Sequence, residues 1–366
     1  MTDDKRRNFL KRTGAGFALG ASSTTAIAQS PALQWRLACS FPKTLDALYG
    51  AAEFFAKRVA ALTGNRFHIR VHGPDEIVPS LQVLDAVQNG TVECGHTASY
   101  YYVGKNPAFA FDTALPFGLN ARQQNAWMYA GGGIQAMRGL FAEYGCVQFP
   151  AGNTGAQMGG WFRKEVKSLD DLKGLKFRIA GIAGQVLARL GAVPQQIAGP
   201  NIYQSLERGA IDAAEWVGPY DDEKLGFVKV APYYYYPGFC EGSAQLSVLV
   251  NQKKWEELPA EYKAAVEAAA TEAHVQMNAH YDARNPLALR KLVAAGAKLR
   301  AFPPAVMSAA QQVAFDLYDE LAQKSPQFKS IYVQWKQFRQ EELLWFRVAE
   351  HSYDNFIYSA AAKTKS

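Results

Sequence analysis

The 366-residue sequence is poor in the residues that carry most enzyme chemistry. It has four cysteines, Cys39, Cys94, Cys146 and Cys240, and no two of them form a CxxC or CxxCH pair. Neither a dithiol redox centre nor a haem attachment is therefore encoded. Three of the four sit in apolar, strand-like stretches, where buried free thiols are expected. The six histidines are scattered: His68 and His72 flank one strand, and His274, His280 and His351 lie on helical stretches. His96 stands near a strand end and reads as a hydrogen-bonded structural histidine. No HExxH, no Cys/His cluster, no GxGxxG after a strand and no recognisable Ser, His and Asp triad occurs, which argues against the common exported hydrolases and oxidoreductases. An excess of one charge is missing as well. The first 28 residues carry five Lys/Arg against two Asp, leaving 34 basic and 31 acidic residues, or +3. With no basic run interleaved with aromatics, nucleic acid is not an expected partner. Beyond the N-terminus no apolar run reaches the roughly 18 residues that a membrane span needs.

What is present begins with an export signal. Lys5-Arg6-Arg7-Asn8-Phe9-Leu10-Lys11 is a twin-arginine pattern, an apolar stretch follows from Gly14, and Ala26-Ile27-Ala28 offers a small-x-small cleavage site. Residues 1–28 are read as a signal peptide, which places the mature protein in the periplasm. With 49% hydrophobic and 20% charged residues, the remainder has the composition of a globular protein of about two domains.

Strands alternate with helices. Strands are expected at Gln34 to Cys39, Arg66 to Val71, Thr91 to His96, Gly145 to Phe149, Lys176 to Ala180, Val193 to Ile197, Ile211 to Trp216, Ala244 to Asn251 and Lys298 to Phe302. Between them fall helices that Thr44 and Ser80 are expected to cap, and a long one from Pro259 to about Arg284 that Pro286 should interrupt. That alternation implies βαβ units and a fold of class α/β. Gln88-Asn89-Gly90-Thr91-Val92-Glu93 is echoed by Glu207-Arg208-Gly209-Ala210-Ile211-Asp212, each a helix end, a glycine stop and an apolar-acidic strand. Two lobes on one plan would produce this echo and set His96 and Glu215 at equivalent strand ends. From Pro326 to about Ala360 runs a helical tail with Trp335, Phe338, Trp345, Phe346, Tyr353 and Phe356, more aromatic surface than a free tail carries. It either folds back on a lobe or packs against a second subunit.

The candidate site residues cluster late in the chain. Arg178 points opposite to Phe177 and Ile179 in an alternating strand that Gly181 ends. Strand ends of open α/β sheets face the ligand crevice, and an arginine fork suits a carboxylate. Glu215-Trp216 ends a strand before the turn Val217-Gly218-Pro219, and Gln157 precedes Gly159-Gly160, where close backbone approach is allowed. Glu241 follows the run Tyr233 to Tyr236, and Tyr100-Tyr101-Tyr102 lies just past the third strand. Taken singly, Arg178 and Glu215 also read as solvated surface residues, and the tyrosines as core.

Together, the twin-arginine signal and the stretches WRLACSFPKTLD, HTASYYYVGKNPAFAF, GNTGAQMGGWFR, LKGLKFRIAG, RGAIDAAEWVGPYDDEKLGF and APYYYYPG resemble the substrate-binding proteins of tripartite ATP-independent periplasmic (TRAP) transporters, the DctP-type family. QMGGWFR with AAEWVGPYDD is similar to the branch that receives 2-oxo acids such as pyruvate. The resemblance covers residue 33 to the C-terminus. It implies a two-lobed periplasmic-binding-protein fold with the ligand cleft between lobes and a helical C-terminal extension. Lobe I would be 33–154 with 245–284, lobe II 155–244 with 285–330, and the extension 331–366. It also implies that Arg178 holds the substrate carboxylate, that Gln157, Glu215, the Trp216 carbonyl and Glu241 hold a sodium or calcium ion bridging to the substrate, and that Tyr101 and Asn153 are polar contacts. The partners it implies are a small carboxylate, TRAP membrane permease subunits and, through the C-terminal helix, a second copy of the chain. The alternatives are a receptor for lactate, a dicarboxylate or sialic acid, or an exported enzyme.

Overall fold

A computed structural model describes residues 31–363; the signal-peptide reading of 1–28 lies outside the described residues. In chain order the first elements are β1 (Leu33–Cys39), α1 (Leu48–Leu62), β2 (Phe67–His72), α2 (Val83–Gln88), β3 (Cys94–Thr97), α3 (Ala110–Thr113), α4 (Ala121–Ala130), α5 (Gly133–Ala142) and β4 (Cys146–Asn153). Then come β5 (Gly160–Phe162), β6 (Lys176–Arg178), α6 (Gly181–Arg189), β7 (Val193–Gln195), α7 (Ile202–Glu207), β8 (Ala213–Ala214), α8 (Pro219–Leu225) and β9 (Tyr233–Tyr236). The chain ends with β10 (Gln245–Asn251), α9 (Gln252–Glu256), α10 (Ala260–Ala294), β11 (Lys298–Ala301), α11 (Pro304–Lys324), α12 (Pro326–Val348) and α13 (Glu350–Lys363).

The strands form two sheets, one of order β2-β1-β3-β10-β4 and one of order β11-β9-β5-β8-β6-β7. Each carries a parallel core, β2-β1-β3 and β8-β6-β7, beside antiparallel partners. Between the sheets the chain passes three times: from β4 to β5, from β9 to β10, and along α10 into β11. The observed architecture is thus the expected α/β one, with the helical C-terminal region present.

The sequence echo has a structural counterpart. Leu37 of β1 registers with Cys94 of β3, and Phe177 of β6 registers with Ala213 of β8. One residue earlier, the acidic member of each repeat accepts a hydrogen bond from the neighbouring strand's backbone: Glu93 from Arg36 N at 2.7 Å and Asp212 from Lys176 N at 3.1 Å. In this register His96 and Glu215 do correspond.

Several local expectations are corrected. α1 starts at Leu48 without a side-chain cap, so Thr44 is not its N-cap; residues 42–45 instead form a turn that buries Leu45. Ser80 opens a 3-10 turn, and its side chain caps nothing. α10 runs through Pro286 rather than stopping near Arg284. An interior proline forfeits one backbone hydrogen bond and costs about 3 kcal/mol. Burial of Val266, Ala273 and Met277 before it, and of Ala288 and Leu292 after it, holds both halves in line. All four cysteines are buried free thiols, as expected.

Candidate functional site

Arg178 is the last residue of β6 and is 1% exposed. Its Nε donates to the Ile197 carbonyl at 3.1 Å, and Nη1 donates to the Glu215 carbonyl and lies 3.5 Å from the Glu215 carboxylate. The Trp216 ring lies 5.0 Å from the guanidinium carbon. A guanidinium has five N–H donors, so backbone and indole contacts fix its plane while donors remain for a ligand. A lysine in this place has no plane to fix.

Around that cation lie buried oxygens that lack partners. Both carboxylate oxygens of Glu215, both of Glu241, and Oε1 of Gln157 are buried without a hydrogen bond. Gln157 is oriented by its own Nε2, which donates to Thr154 Oγ1 at 3.1 Å, and the same hydroxyl accepts from Ala244 N at 3.0 Å. This ties the β4–β5 passage, which carries Gln157, to the β9–β10 passage, which carries Glu241. Buried polar groups are nearly always satisfied, so five acceptors without a hydrogen bond, of which only a Glu215 oxygen has the Arg178 ion pair, are a signal. Burial raises the Glu215 carboxyl well above the ordinary carboxylate range, with further push from Glu241 and Asp222 against the pull of Arg178. Burial likewise pushes Glu241 up to about 7, against Arg178, Tyr100 and Gln157. Two buried carboxylates that resist ionisation together call for a proton or a cation between them.

Among the described residues no group of three or more His, Cys, Asp or Glu could hold a metal ion. Any ion here would therefore rest on two carboxylates plus amide and carbonyl oxygens. That donor set, Glu215, Glu241, Gln157 Oε1 and the Trp216 carbonyl, fits a hard cation such as sodium or calcium and not a thiophilic one.

Beside these groups lies a small cavity. It is lined by the polar or amphipathic Gln157, Thr154, Tyr100, Tyr101 and Trp216 and by the apolar Phe41, Leu48, Ala98, Val217, Ala244 and Leu246. The two sheets' elements meet across it. Gln196 Nε2 donates to the Tyr101 carbonyl at 3.1 Å, and the Tyr100 ring rests on Gly181, where an added Cβ would come within 2.8 Å of it. Gly181 has φ +65°, so both the backbone conformation and the ring require glycine. Burial raises the Tyr101 hydroxyl to about 12, while Arg178 pulls it down, as expected of a phenol facing the guanidinium.

Of the residues singled out from sequence, Arg178, Gln157, Glu215, Trp216, Glu241 and Tyr101 come together here. Asn153 ends β4 close by; its Oδ1 accepts from Gly155 N at 2.8 Å, which shapes the passage, and its Nδ2 is buried without a partner. Tyr233 to Tyr236 are instead strand β9: Tyr234 stacks on Trp161 with centroids 3.9 Å apart and donates to Asp222. His96 points into the first sheet's core, with Nε2 3.3 Å from the Ala151 carbonyl, and burial lowers it to about 4, so it is a structural histidine. Phe41, Leu48, Thr154, Ala244 and Leu246 went unremarked in the sequence. All follow or flank strand ends, the one signal that could have flagged them.

The chain resembles known proteins along nearly its whole length. Residues 40–325 match the family model DctP, bacterial extracellular solute-binding protein, family 7. A monocarboxylate 2-oxoacid-binding periplasmic protein from Nostoc sp. is 52% identical over 97% of this chain and 100% of its own length. A TRAP transporter solute-binding protein from Bordetella bronchiseptica, solved as a mixed-occupancy dimer with copurified calcium and picolinate in one active site, is 56% identical with a TM-score of 0.90, covering 91% of this chain and 99% of that one. A TRAP periplasmic solute-binding protein from Pseudoalteromonas atlantica with bound sodium and pyruvate is 39% identical with a TM-score of 0.86, covering 88% and 98%. The chain belongs to the DctP family, the bacterial extracellular solute-binding proteins of family 7.

Proposed function

We propose that this protein is the periplasmic receptor of a TRAP transporter and binds a small 2-oxo monocarboxylate, pyruvate or a near relative, through Arg178 and a bridging sodium or calcium ion. The carrying observation is the set of five buried oxygens without a hydrogen bond beside an immobilised guanidinium. In this reading Arg178 takes the substrate carboxylate, and Tyr101 and Asn153 add polar contacts. Glu215, Glu241, Gln157 and the Trp216 carbonyl hold the cation, whose charge turns the repulsion between an organic anion and two carboxylates into attraction. Pyruvate and picolinate, the ligands in the similar structures, each set a second lone-pair atom next to the carboxylate, the arrangement a metal chelate needs. With none of the catalytic motifs in the sequence, the protein would bind and release its ligand unchanged.

The reading includes hinge closure of two lobes, 33–154 with 245–284 and 155–244 with 285–330, and docking of the closed form on the TRAP permease. Outside the cavity, Tyr220 donates to Asp46 at 2.9 Å and Lys224 pairs with the same carboxylate. These bonds join the segment that supplies Phe41 and Leu48 to the one that supplies Trp216 and Val217, and support a closed state. The twin-arginine signal is the route of export.

The test is thermal melting with pyruvate plus sodium or calcium. At about 100 times its dissociation constant a ligand adds about 2.7 kcal/mol, a rise of several degrees for a protein of this size. No rise with pyruvate and either cation would remove the reading, and conversion of pyruvate during incubation would make the protein an enzyme.

The C-terminal helices carry the remaining partner. Phe328, Ile331, Tyr332 and Trp335 of α12 are buried, yet Leu344, Trp345 and Val348 further along it, and Tyr353, Phe356 and Tyr358 of α13, are 60% or more exposed. A contiguous apolar face of this extent is covered in soluble proteins, and a second copy of the chain is the occupant proposed. The double variant Trp345→Glu with Phe356→Glu is expected to sediment as a monomer where the parent sediments as a dimer. A parent that stays monomeric at micromolar concentration would dismiss the dimer.

A further inference from the structure

Asp112 lies in α3, is 0% exposed and belongs to none of the groups discussed above. Its carboxylate accepts four side-chain hydrogen bonds. Gln148 Nε2 at 2.6 Å and Gln245 Nε2 at 3.0 Å reach Oδ1, while Ser247 Oγ at 2.8 Å and Ser99 Oγ reach Oδ2. Gln245 Nε2 also donates to the Asp112 carbonyl at 2.9 Å, and Gln148 Nε2 to Ser247 Oγ at 2.9 Å. None of the donors is cationic. Burial pushes the carboxyl up to about 6 in spite of them, so the group is costly to keep here. An apolar residue would fill the space without that cost.

The identity of the donors shows what that cost is spent on. Ser99 is flanked by Ala98, Tyr100 and Tyr101, and Gln245 by Ala244 and Leu246, and all five neighbours line the cavity. Gln148 lies on β4, which ends at Asn153, directly before Thr154. The adjacent Thr113 adds its Oγ1, which accepts from Tyr100 N at 3.3 Å. Tolerance at Tyr100 is small, because its ring already touches the Gly181 backbone across the cavity. A shift of a few tenths of an ångström would either open that contact or collide with it.

We propose that Asp112 is a positioning residue for ligand binding: one buried carboxylate clamps the tyrosine turn 99–102 and strands β4 and β10 into the spacing that the closed cavity requires. The proposal rests on the reading of the cavity as the 2-oxo acid site. Asp112 does not line the cavity, and the residues assigned to the cation come from other segments.

The variants Ser99→Ala, Asp112→Ala and Asp112→Asn discriminate. Ser99→Ala cuts the one bond nearest the tyrosines and Asp112→Ala cuts all of them. Asp112→Asn can keep them, because its Oδ1 accepts from both glutamines while its amide N–H groups turn to the two serines, whose hydroxyls reverse. Pyruvate affinity is measured by calorimetry in saturating calcium, and calcium affinity is measured without pyruvate. Ser99→Ala and Asp112→Ala are expected to weaken pyruvate by about 10-fold or more, the worth of a charge-assisted buried hydrogen bond. The calcium affinity of Ser99→Ala, which leaves the bonds to β4 and β10 in place, should stay within about threefold, and Asp112→Asn should recover most of the pyruvate affinity. If Asp112→Ala does not fold, Ser99→Ala decides. Unchanged pyruvate affinity in folded Ser99→Ala, or equal loss of calcium and pyruvate, overturns the clamp while the site stands. A parent protein that binds no pyruvate overturns both.

Discussion

Arg178→Lys is expected to weaken pyruvate binding by about 100-fold or more, a loss far beyond what a retained positive charge suggests. The guanidinium does two things at once. Nε and Nη1 hold the Ile197 and Glu215 carbonyls, and the Trp216 ring packs against its plane, so the remaining N–H groups are fixed before a ligand arrives. A carboxylate then gains two parallel bonds with little ordering left to do. Lysine offers one ammonium on a flexible stem and cannot serve two backbone carbonyls and a carboxylate in a plane. It also leaves a backbone acceptor unsatisfied in a site with almost no water access. Calorimetry with saturating calcium measures the loss, and a melting curve checks that the variant folds. Affinity within threefold of the parent would take Arg178 out of the site.

Arg178 was legible in the sequence because alternation and Gly181 marked a strand end, and strand ends in such sheets face the crevice. Glu215 was legible for the same reason, although its strand proved to be only Ala213–Ala214. Gln157 and Glu241 sit on two of the three passages between sheets, where no periodicity exists to place a side chain; family likeness, not spacing, pointed to them. The two tyrosine runs show how little composition settles. Both are aromatic triplets or longer near strand ends. Yet Tyr234 is core, stacked on Trp161, while Tyr100 and Tyr101 line the cavity. What separates them is which strand lies opposite, a non-local fact. The helix starts failed for a similar reason. Thr44 and Ser80 both look like caps, but α1 starts only at Leu48, and Ser80 takes part in a tertiary contact instead, its carbonyl accepting from Ser40 Oγ, which also bonds Thr97. The extent of α10 beyond Pro286 is likewise set by what packs on its far half.

The second large effect concerns the cation, and its sign follows from the two glutamates. In an unfolded chain Glu215 and Glu241 titrate near 4.3, the ordinary value for glutamate. In the folded chain burial raises both, Glu241 to about 7, and the charge of Glu241 pushes Glu215 further. Between those limits the folded form keeps protons that the unfolded form has released, so the stability of the cation-free protein falls as pH rises. Asp112 and Asp221, each raised to about 6, and Asp222, raised to about 7, all by burial, slope the same way. The pH dependence of one sample therefore identifies nothing. The difference between calcium-loaded and chelated protein does, since a bound cation takes over the place of the protons on Glu215 and Glu241. At low pH the ion must displace protons from both glutamates and gains little; as pH rises past about 7, where Glu241 ionises, it meets a carboxylate already free of its proton. The rise in melting temperature on adding calcium is thus expected to be small at pH 5 and large at pH 8. Glu215→Gln, which keeps the shape and removes one charge, should abolish most of that rise at pH 8. It should also make the chelated protein more stable than the chelated parent, because a repelled carboxylate is gone. A calcium-induced rise equal at pH 5 and pH 8, or one that survives Glu215→Gln, would place the ion on other ligands.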